Sequence, residues 1–507
     1  MVPAHPSQAR VRRRSPLCSE NCGRMMGGMP TQDHLSAGAQ ALASGDWNAA
    51  KESFEAARRE MDSSESLDGL GRALWWLKDV RAAIETRTRA YGAYREETRN
   101  QEAAAVAVWL ARELRILLRN DAAADGWLAR AETLSKDVVD SSVPGWVALA
   151  RAETRSEVSD AIADCESALG IARELNDPDL EIVSLARLGL FQVAQGAVDL
   201  GIALLDEAMA AASGGEAKDL QSVGEAYCAL MEAAELLGDS ERFAQWTSAI
   251  AELKGQHGFG PFDDLGSSTA YGNLSSFCGA CCGGMYLVTG RLDEAEDELR
   301  DAIVDLETSG MDPRCVHPVT QLAELRVLQG RLEEARALLE RYEDLPESAA
   351  LWPFSIWLSG RRMRRLHDCK GRLEELRSLT VAALPLWTVL IDAQIVRGAL
   401  EAAADAAKQI AKIAALTKSK RHLGEALFAE GKVAAANSKE DAPGILREAA
   451  RTLSEASIAL PACRARMQLA QTLVDRDRPW RSPRPVRLWQ RSIGSERSQM
   501  RMKPPRS

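Results

Sequence analysis

Gly290-Arg291-Leu292-Asp293-Glu294-Ala295 returns as Gly330-Arg331-Leu332-Glu333-Glu334-Ala335 and again as Gly371-Arg372-Leu373-Glu374-Glu375-Leu376, at separations of 40 and 41 residues. In the first copy Leu292, Ala295, Leu299, Ala302, Ile303 and Leu306 recur at helical spacing and form one apolar stripe. The glycine suits the left-handed end of a preceding helix. The acids that follow sit in the first turn of the next helix, where its dipole favours them. Each unit therefore reads as helix, tight turn, helix. One pair cannot bury its stripe alone, so neighbouring pairs must stack. The stretch from Gly290 to Ala383 thus predicts an all-α solenoid.

Composition agrees. Apolar residues make up 46% of the 507, yet only 8 are Phe and 6 are Tyr, and Ala, Leu, Glu and Arg dominate. That mix favours helices over sheets. The net charge of −10 is unevenly spread: residues 1–30 carry +4 and 478–507 carry +8, leaving −22 on 31–477. So acidic a body repels phosphate backbones and is a poor direct partner for nucleic acid. The ten cysteines lack a disulfide-scaffold rhythm and no secretory signal is visible, which points to reduced thiols in a cytoplasm. Arg12-Arg13-Arg14 is not followed by an apolar segment, and the apolar run Val381 to Ile391 is short and contains Pro385. No membrane span is expected.

Taken in order, residues 1–30 have no periodicity and are expected to be a disordered leader. Met25, Met26 or Met29 could be the true start. Helix pairs fill 31–255: 35–43 with 47–60, 65–77 with 79–97, 100–119 with 121–136, 143–155 with 157–174, 177–195 with 197–213, and 216–237 with 239–255. Asp46, Asp121 and Asp239 are placed as helix N-caps. The rhythm breaks at 256–269, a Gly- and Pro-containing loop insert that divides the array into two halves. Pairs resume through 270–477: 270–289 with 291–309, 314–329 with 331–342, 347–369 with 371–383, 385–397 with 399–417, and 420–437 with 441–459. A last helix over 461–475 is expected to fray as an open end. The repeat length near 42 exceeds the 34 of a standard tetratricopeptide repeat, so the units read as tetratricopeptide-like pairs with extended helices in a right-handed superhelix. Residues 478–507 are Arg, Pro and Ser with two Trp, a disordered basic tail.

Several segments, in their order, resemble the helical-repeat region of actinobacterial-type LuxR-family transcriptional regulators. They include Gly45-Asp46-Trp47, Leu67-Asp68-Gly69-Leu70-Gly71 through Trp75-Trp76-Leu77, and Gly126-Trp127-Leu128-Ala129-Arg130-Ala131. Gly145-Trp146, Gly201 through Leu204-Leu205-Asp206-Glu207-Ala208, Tyr227-Cys228 and Phe277-Cys278 continue the series. The resemblance covers most of 33–477. It implies an effector-sensing arm followed, in that family, by a DNA-binding helix-turn-helix, which is absent from this chain. Back-translated with mostly G/C-ending codons and read one nucleotide earlier, Trp480–Ser507 becomes a helix, a Gly-containing turn and a second helix. Two readings of the tail stand: a frameshift product, or a native basic segment for nucleic acid or acidic surfaces.

Cys278, Cys281 and Cys282, with Cys315 and His317, have zinc-ligand types but fall on helices without a second C-x-x-C, and are read as thiols filling a repeat interface. Cys18 and Cys22 lie in the leader. Gly424 and Gly431-Lys432 lack the spacing, the Ser or Thr and the preceding strand of a phosphate loop. Trp75, Trp76, Trp109, Trp127 and Trp146 are placed in interhelical packing, and Arg361-Arg362-Met363-Arg364-Arg365 on a solvated helix face. No catalytic, cofactor-binding or metal residue is assigned, and no cofactor is expected. The expected activity is binding of a protein, peptide or small effector in a concave groove, without catalysis. It would be either the regulatory arm of a LuxR-family factor or a stand-alone tetratricopeptide protein–protein interaction scaffold.

Overall fold

A computed structural model describes residues 31–246 and 248 apart from 137, 139 and 156, then 275–341, 381 and 383–476. The expected leader 1–30, insert 256–269, tail 478–507, the third copy of the repeat at Gly371 and the Arg361–Arg365 run all lie outside the described residues. Among those described there are helices and no strand. The architecture is a right-handed superhelical solenoid of tetratricopeptide-like pairs.

The pairs run α1 (Thr31–Ser44) with α2 (Trp47–Glu60), α3 (Ser64–Trp76) with α4 (Val80–Glu96), α5 (Asn100–Ile116) with α6 (Asp121–Ser135), and α7 (Val143–Ala152) with α8 (Val158–Leu175). Next are α9 (Pro178–Gln195) with α10 (Val198–Ser213), then α11 (Leu220–Leu237), followed by helical residues 240–246. After the undescribed gap come α12 (Ser275–Thr289) with α13 (Leu292–Thr308), and α14 (Val316–Leu328), entered through a 3-10 turn at Asp312–Cys315, with α15 (Leu332–Arg341). The C-terminal helices are α16 (Leu384–Arg397), α17 (Leu400–Thr417), α18 (Lys420–Ala436), α19 (Ala442–Glu455) and α20 (Ala459–Arg476).

The turn that defines the repeat has one backbone solution. Gly290 and Gly330 adopt left-handed φ of 86° and 76°. The next amide then reaches back across the helix end: Arg291 N–H donates to Tyr286 O at 2.9 Å, and Arg331 N–H to Arg326 O at 2.8 Å. This satisfies carbonyls that a helix end leaves bare. Lys78, Thr98 and Arg119 close equivalent turns at φ 65°, 60° and 50° without glycine, which is why the sequence motif is intermittent while the turn is not. Asp46 and Asp239 cap their helices through Ala49 N–H and Arg242 N–H at 3.0 Å each. The third cap belongs to Asn120, whose side chain accepts from Ala123 N–H. Asp121 is already inside the helix.

The stripe read from Gly290 onward is buried at Ala295, Leu299, Ala302, Ile303 and Leu306. Along the stack the first helix of each pair is buried on most sides. In α9, Leu180, Ile182, Val183, Leu185, Ala186, Leu188 and Leu190 are all buried, whereas α10 buries little more than Gly201, Leu205, Ala208, Met209 and Ala212. These inner helices are enclosed by their partners, their neighbours and the superhelix interior. Where α9 meets α10 the backbones touch: a Cβ on Gly201 would lie 2.6 Å from Gly189 O, and one on Gly189 would lie 2.7 Å from Gly201 O.

The superhelix curls tightly enough to meet itself. One apolar cluster includes Phe54, Leu70, Trp75 and Leu117 from the early pairs and Leu287, Leu299, Leu306 and Leu322 from α12, α13 and α14. Lys78 Nζ pairs with Asp305 at 2.6 Å, and Arg314 Nη1 donates to Ile116 O at 3.1 Å. Further on, Val381 N–H donates to Ala194 O at 2.9 Å. The last helix, left as an open end by the periodicity, is anchored: Ala462 and Ala465 are buried, Leu460 packs on the shared cluster, and Arg464 pairs with Glu324.

Candidate ligand cavity

In the early pairs, charged residues of the inner helices meet in the interior. Arg112 on α5 donates through Nη2 to Glu225 Oε2 on α11 at 2.6 Å and to Glu153 Oε1 at 3.1 Å. Arg187 on α9 lies 3.6 Å from Glu225 and 3.8 Å from Glu153, making a balanced set of two cations and two anions. Burial alone would lower the Arg112 pKa, yet Glu225 and Glu153 carry it above the ordinary value. The charges of Arg112 and Arg187 outweigh burial at Glu225 and hold it low. Beside this set, Glu113 accepts from Trp75 Nε1–H at 2.9 Å and from Gln221 Nε2–H at 3.1 Å. Burial pushes its carboxyl up to about 7, the Trp75 hydrogen bond opposes that, and the nearby Glu225 adds to it.

Open space appears further along. A cavity of about 370 Å³ lies where α11, α12 and α14 face α16, α18 and α20. That is within the size of small-ligand pockets. Its walls come from residues as far apart as Arg119 and Arg464, so closure of the superhelix creates it. Apolar surface is supplied by Leu236, Leu287, Leu306, Val381 and Leu384. Three polar atoms on its walls, Arg119 Nε, Gln321 Oε1 and Glu425 Oε2, are buried without a hydrogen-bond partner. Such atoms are costly and point to a polar occupant or water. A more open depression of about 540 Å³ between α17, α18 and α19 is lined largely by alanine, and no such atom is recorded on it.

The rim is built from helix ends. Arg421 Nη1 donates to Glu235 O at 2.7 Å and His422 Nε2 lies 3.2 Å from Leu236 O, so two cation-capable side chains of α18 cap the last carbonyls of α11. A carbonyl only accepts, so Nε2 carries the proton. Burial lowers the His422 pKa, the ring is neutral, and Nδ1 accepts from the Thr417 hydroxyl at 2.8 Å. Arg314 is pushed down to about 10 by burial and then by the charge of Arg119. Burial raises the Glu232 pKa.

Of the residues weighed in the sequence, the structure brings Cys281 and His317 together on one cavity wall, with Glu235 as a third member. Glu235 gave no signal, since it is one of many acids on an amphipathic helix. Cys315 is buried elsewhere, with Sγ 3.9 Å from Ile303 O, and Cys282 is half-buried beside the same helix pair. The Cys278 side chain is outside the described residues. Gly424 and Gly431 are packing sites: a Cβ at either would press on Leu453 or Leu446 at 2.6 Å, and Lys432 pairs with Asp392. The tryptophans lie in the stack. Trp76 stacks on Trp47 at 4.3 Å, Arg87 covers Trp109 at 4.2 Å, Trp127 meets Tyr91 edge-on, and Trp146 packs against the interior clusters. None of them is on the cavity wall.

No known family profile matches this chain, and no curated protein matches it. Among solved structures it is similar to yeast Tom70, with 13% identity over 93% of this chain and 99% of that one and a TM-score of 0.28. It is likewise similar to the human IFIT1 dimer with m7Gppp-AAAA, at 13% identity over 87% and 99% with a TM-score of 0.37. The APC/C heterotetramer Cut9–Hcn1 gives 11% over 88% and 94%, with 0.28. The likeness is one of helical-repeat fold class and nothing finer. No described helix is long and apolar enough to cross a membrane.

Proposed function

We propose that this chain is a helical-repeat interaction scaffold that binds a protein partner by taking a polar segment of it into the cavity between α11, α14 and α18. The observation that carries this reading is the cavity itself: closure of the superhelix assembles it and leaves Arg119 Nε, Gln321 Oε1 and Glu425 Oε2 buried on its walls without partners. Inner side chains of α5, α9 and α11 are already engaged in the Arg112, Glu225, Glu153 and Arg187 ion pairs, which favours the cavity as the place of recognition. The chain acts by binding, not catalysis, in a reducing cytoplasm. Cys165 and Cys281, buried as thiols in the stack, support that compartment.

The test is selection from a random peptide library on the pure protein, followed by affinities for Arg119→Leu and Gln321→Leu. Selected peptides should lose at least about tenfold affinity in both variants and keep it in Arg300→Ala, which is on the outer surface. Peptides that bind all three alike would place recognition elsewhere and overturn the reading.

The order of the Trp- and Gly-containing motifs supports a second reading, the sensing arm of a LuxR-family regulator. Resequencing the gene from the Leu460 codon past the present stop decides it. A gained or lost base near Pro479 followed in frame by a helix-turn-helix favours the regulator. A confirmed tail with nothing helical beyond it favours the scaffold.

A further inference from the structure

Three side chains of different chemistry converge on one wall of the cavity. Glu235 comes from α11, Cys281 from α12 and His317 from α14, and a ligating atom of each lies within 4.8 Å of the other two. His317 Nε2 is 3.3 Å from Glu235 Oε2. Gln321, one turn beyond His317, donates through Nε2 to Glu235 Oε1 at 2.5 Å and approaches His317 Nε2 at 3.3 Å. That amide is buried, with the residue only 6% exposed, yet its Oε1 has no hydrogen-bond partner. The backbone opposite is shaped for the group. A Cβ on Gly284 would lie 2.4 Å from both Gln321 Nε2 and Glu235 Oε1, so any other residue there would fill the space the cluster occupies.

We propose that Glu235, Cys281 and His317 bind a divalent transition metal, zinc fitting best, with the remaining coordination position facing the cavity. One thiolate, one imidazole and one carboxylate are the ligand types of a four-coordinate zinc ion. Tetrahedral bonds of about 2.0–2.3 Å set ligand separations of about 3–4 Å, so the three atoms draw in by at most about 1 Å. Binding breaks the Cys281 S–H bond, sends its proton to solvent and forms a sulfur–metal bond. The thiolate and carboxylate then balance the dication, which removes the cost of an uncompensated charge among buried groups. Gln321 supplies the supporting hydrogen bond to Glu235. Three separate helices hold the ligands, so the ion would also tie the halves on either side of 256–269 together.

The test uses the full chain, reduced and free of oxygen, titrated with cobalt(II). One equivalent should bind with a sulfur-to-cobalt charge-transfer band and the intense visible bands of four-coordinate cobalt, both removed by added zinc. Cys281→Ser should abolish the charge-transfer band, His317→Gln should weaken binding at least about a hundredfold, and Gln321→Leu about 10- to 100-fold. Cys282→Ser and Cys315→Ala should leave the band in place. Circular dichroism checks folding, and if Cys281→Ser does not fold, His317→Gln decides alone. The proposal is overturned by a wild-type spectrum without a thiolate band, by a band that survives Cys281→Ser or is lost in Cys282→Ser, or by unchanged affinity in a folded His317→Gln. None of these outcomes depends on which partner the cavity takes.

Discussion

Arg112 and Glu225, 113 residues apart in the chain, share hydrogen bonds of 2.6 and 3.2 Å between buried side chains of α5 and α11. Each is also the neighbour of an opposite charge, Glu153 or Arg187. This links inner helices of non-adjacent pairs directly, in a fold whose repeats ordinarily contact only the next repeat.

Removing one member of that pair leaves a charge in the interior without its partner. Arg112→Met should lower stability by about 3–5 kcal/mol. The double variant Arg112→Met/Glu225→Leu leaves the Arg187–Glu153 contact and a neutral balance, and should regain most of the loss. Equal melting temperatures for the single and double variants would show that the two charges are not coupled.

Glu113 should make the protein sensitive to pH near neutrality. Its carboxyl is raised by burial to about 7 in the fold, from an ordinary 4.5. Between those values the folded state holds the extra proton, so this stability is fully present below about 4.5 and is lost as pH rises through about 7. Glu113→Gln should flatten stability over that window in denaturant titrations at several pH values. An unchanged slope would place the pH dependence on another group.

His422 should act in the opposite sense. Burial lowers its pKa from 6.5, so as pH falls below that value the unfolded chain takes the proton first and stability drops. Its neutral ring also joins Thr417 to the end of α11. His422→Gln should cost stability at pH 8 through the lost contacts while removing the decline on the acid side. Parallel melting curves for both proteins from pH 8 downward would refute the assignment.

Two glycines test backbone contact against helix propensity. Gly201→Ala places a methyl against Gly189 O and Val193 N, atoms of a helix that cannot turn aside, and should cost about 1–3 kcal/mol. Gly92, inside α4 with nothing within 4 Å of a built Cβ, should gain about 0.5–1 kcal/mol as alanine. Equal effects from the two substitutions would contradict the observed packing.

The repeat was legible because it is local. A glycine able to take positive φ, acids in the next first turn and an apolar stripe at 3.6-residue spacing specify a helix pair, and the shared stripe requires stacking. The turns at Lys78, Thr98 and Arg119 were legible only from the helices around them, since those residues adopt left-handed geometry without a glycine to announce it. Asp121, placed as an N-cap from the sequence, lies one residue inside the helix, because it is the Asn120 side chain that accepts from Ala123 N–H.

The cavity and the buried ion pairs were not legible. Glu235, Cys281 and His317 each have an unremarkable local context on an amphipathic helix. Their meeting depends on how far the superhelix turns per pair, a small rotation summed over many interfaces. The same holds for Arg112 with Glu225 and for Lys78 with Asp305. By itself the sequence determined the helices, their pairing and the solenoid class, because hydrophobic periodicity and turn geometry act within one repeat. Only the tertiary structure decided where the superhelix closes, which charges it buries and where it leaves a cavity, because those follow from curvature accumulated between residues a hundred or more positions apart.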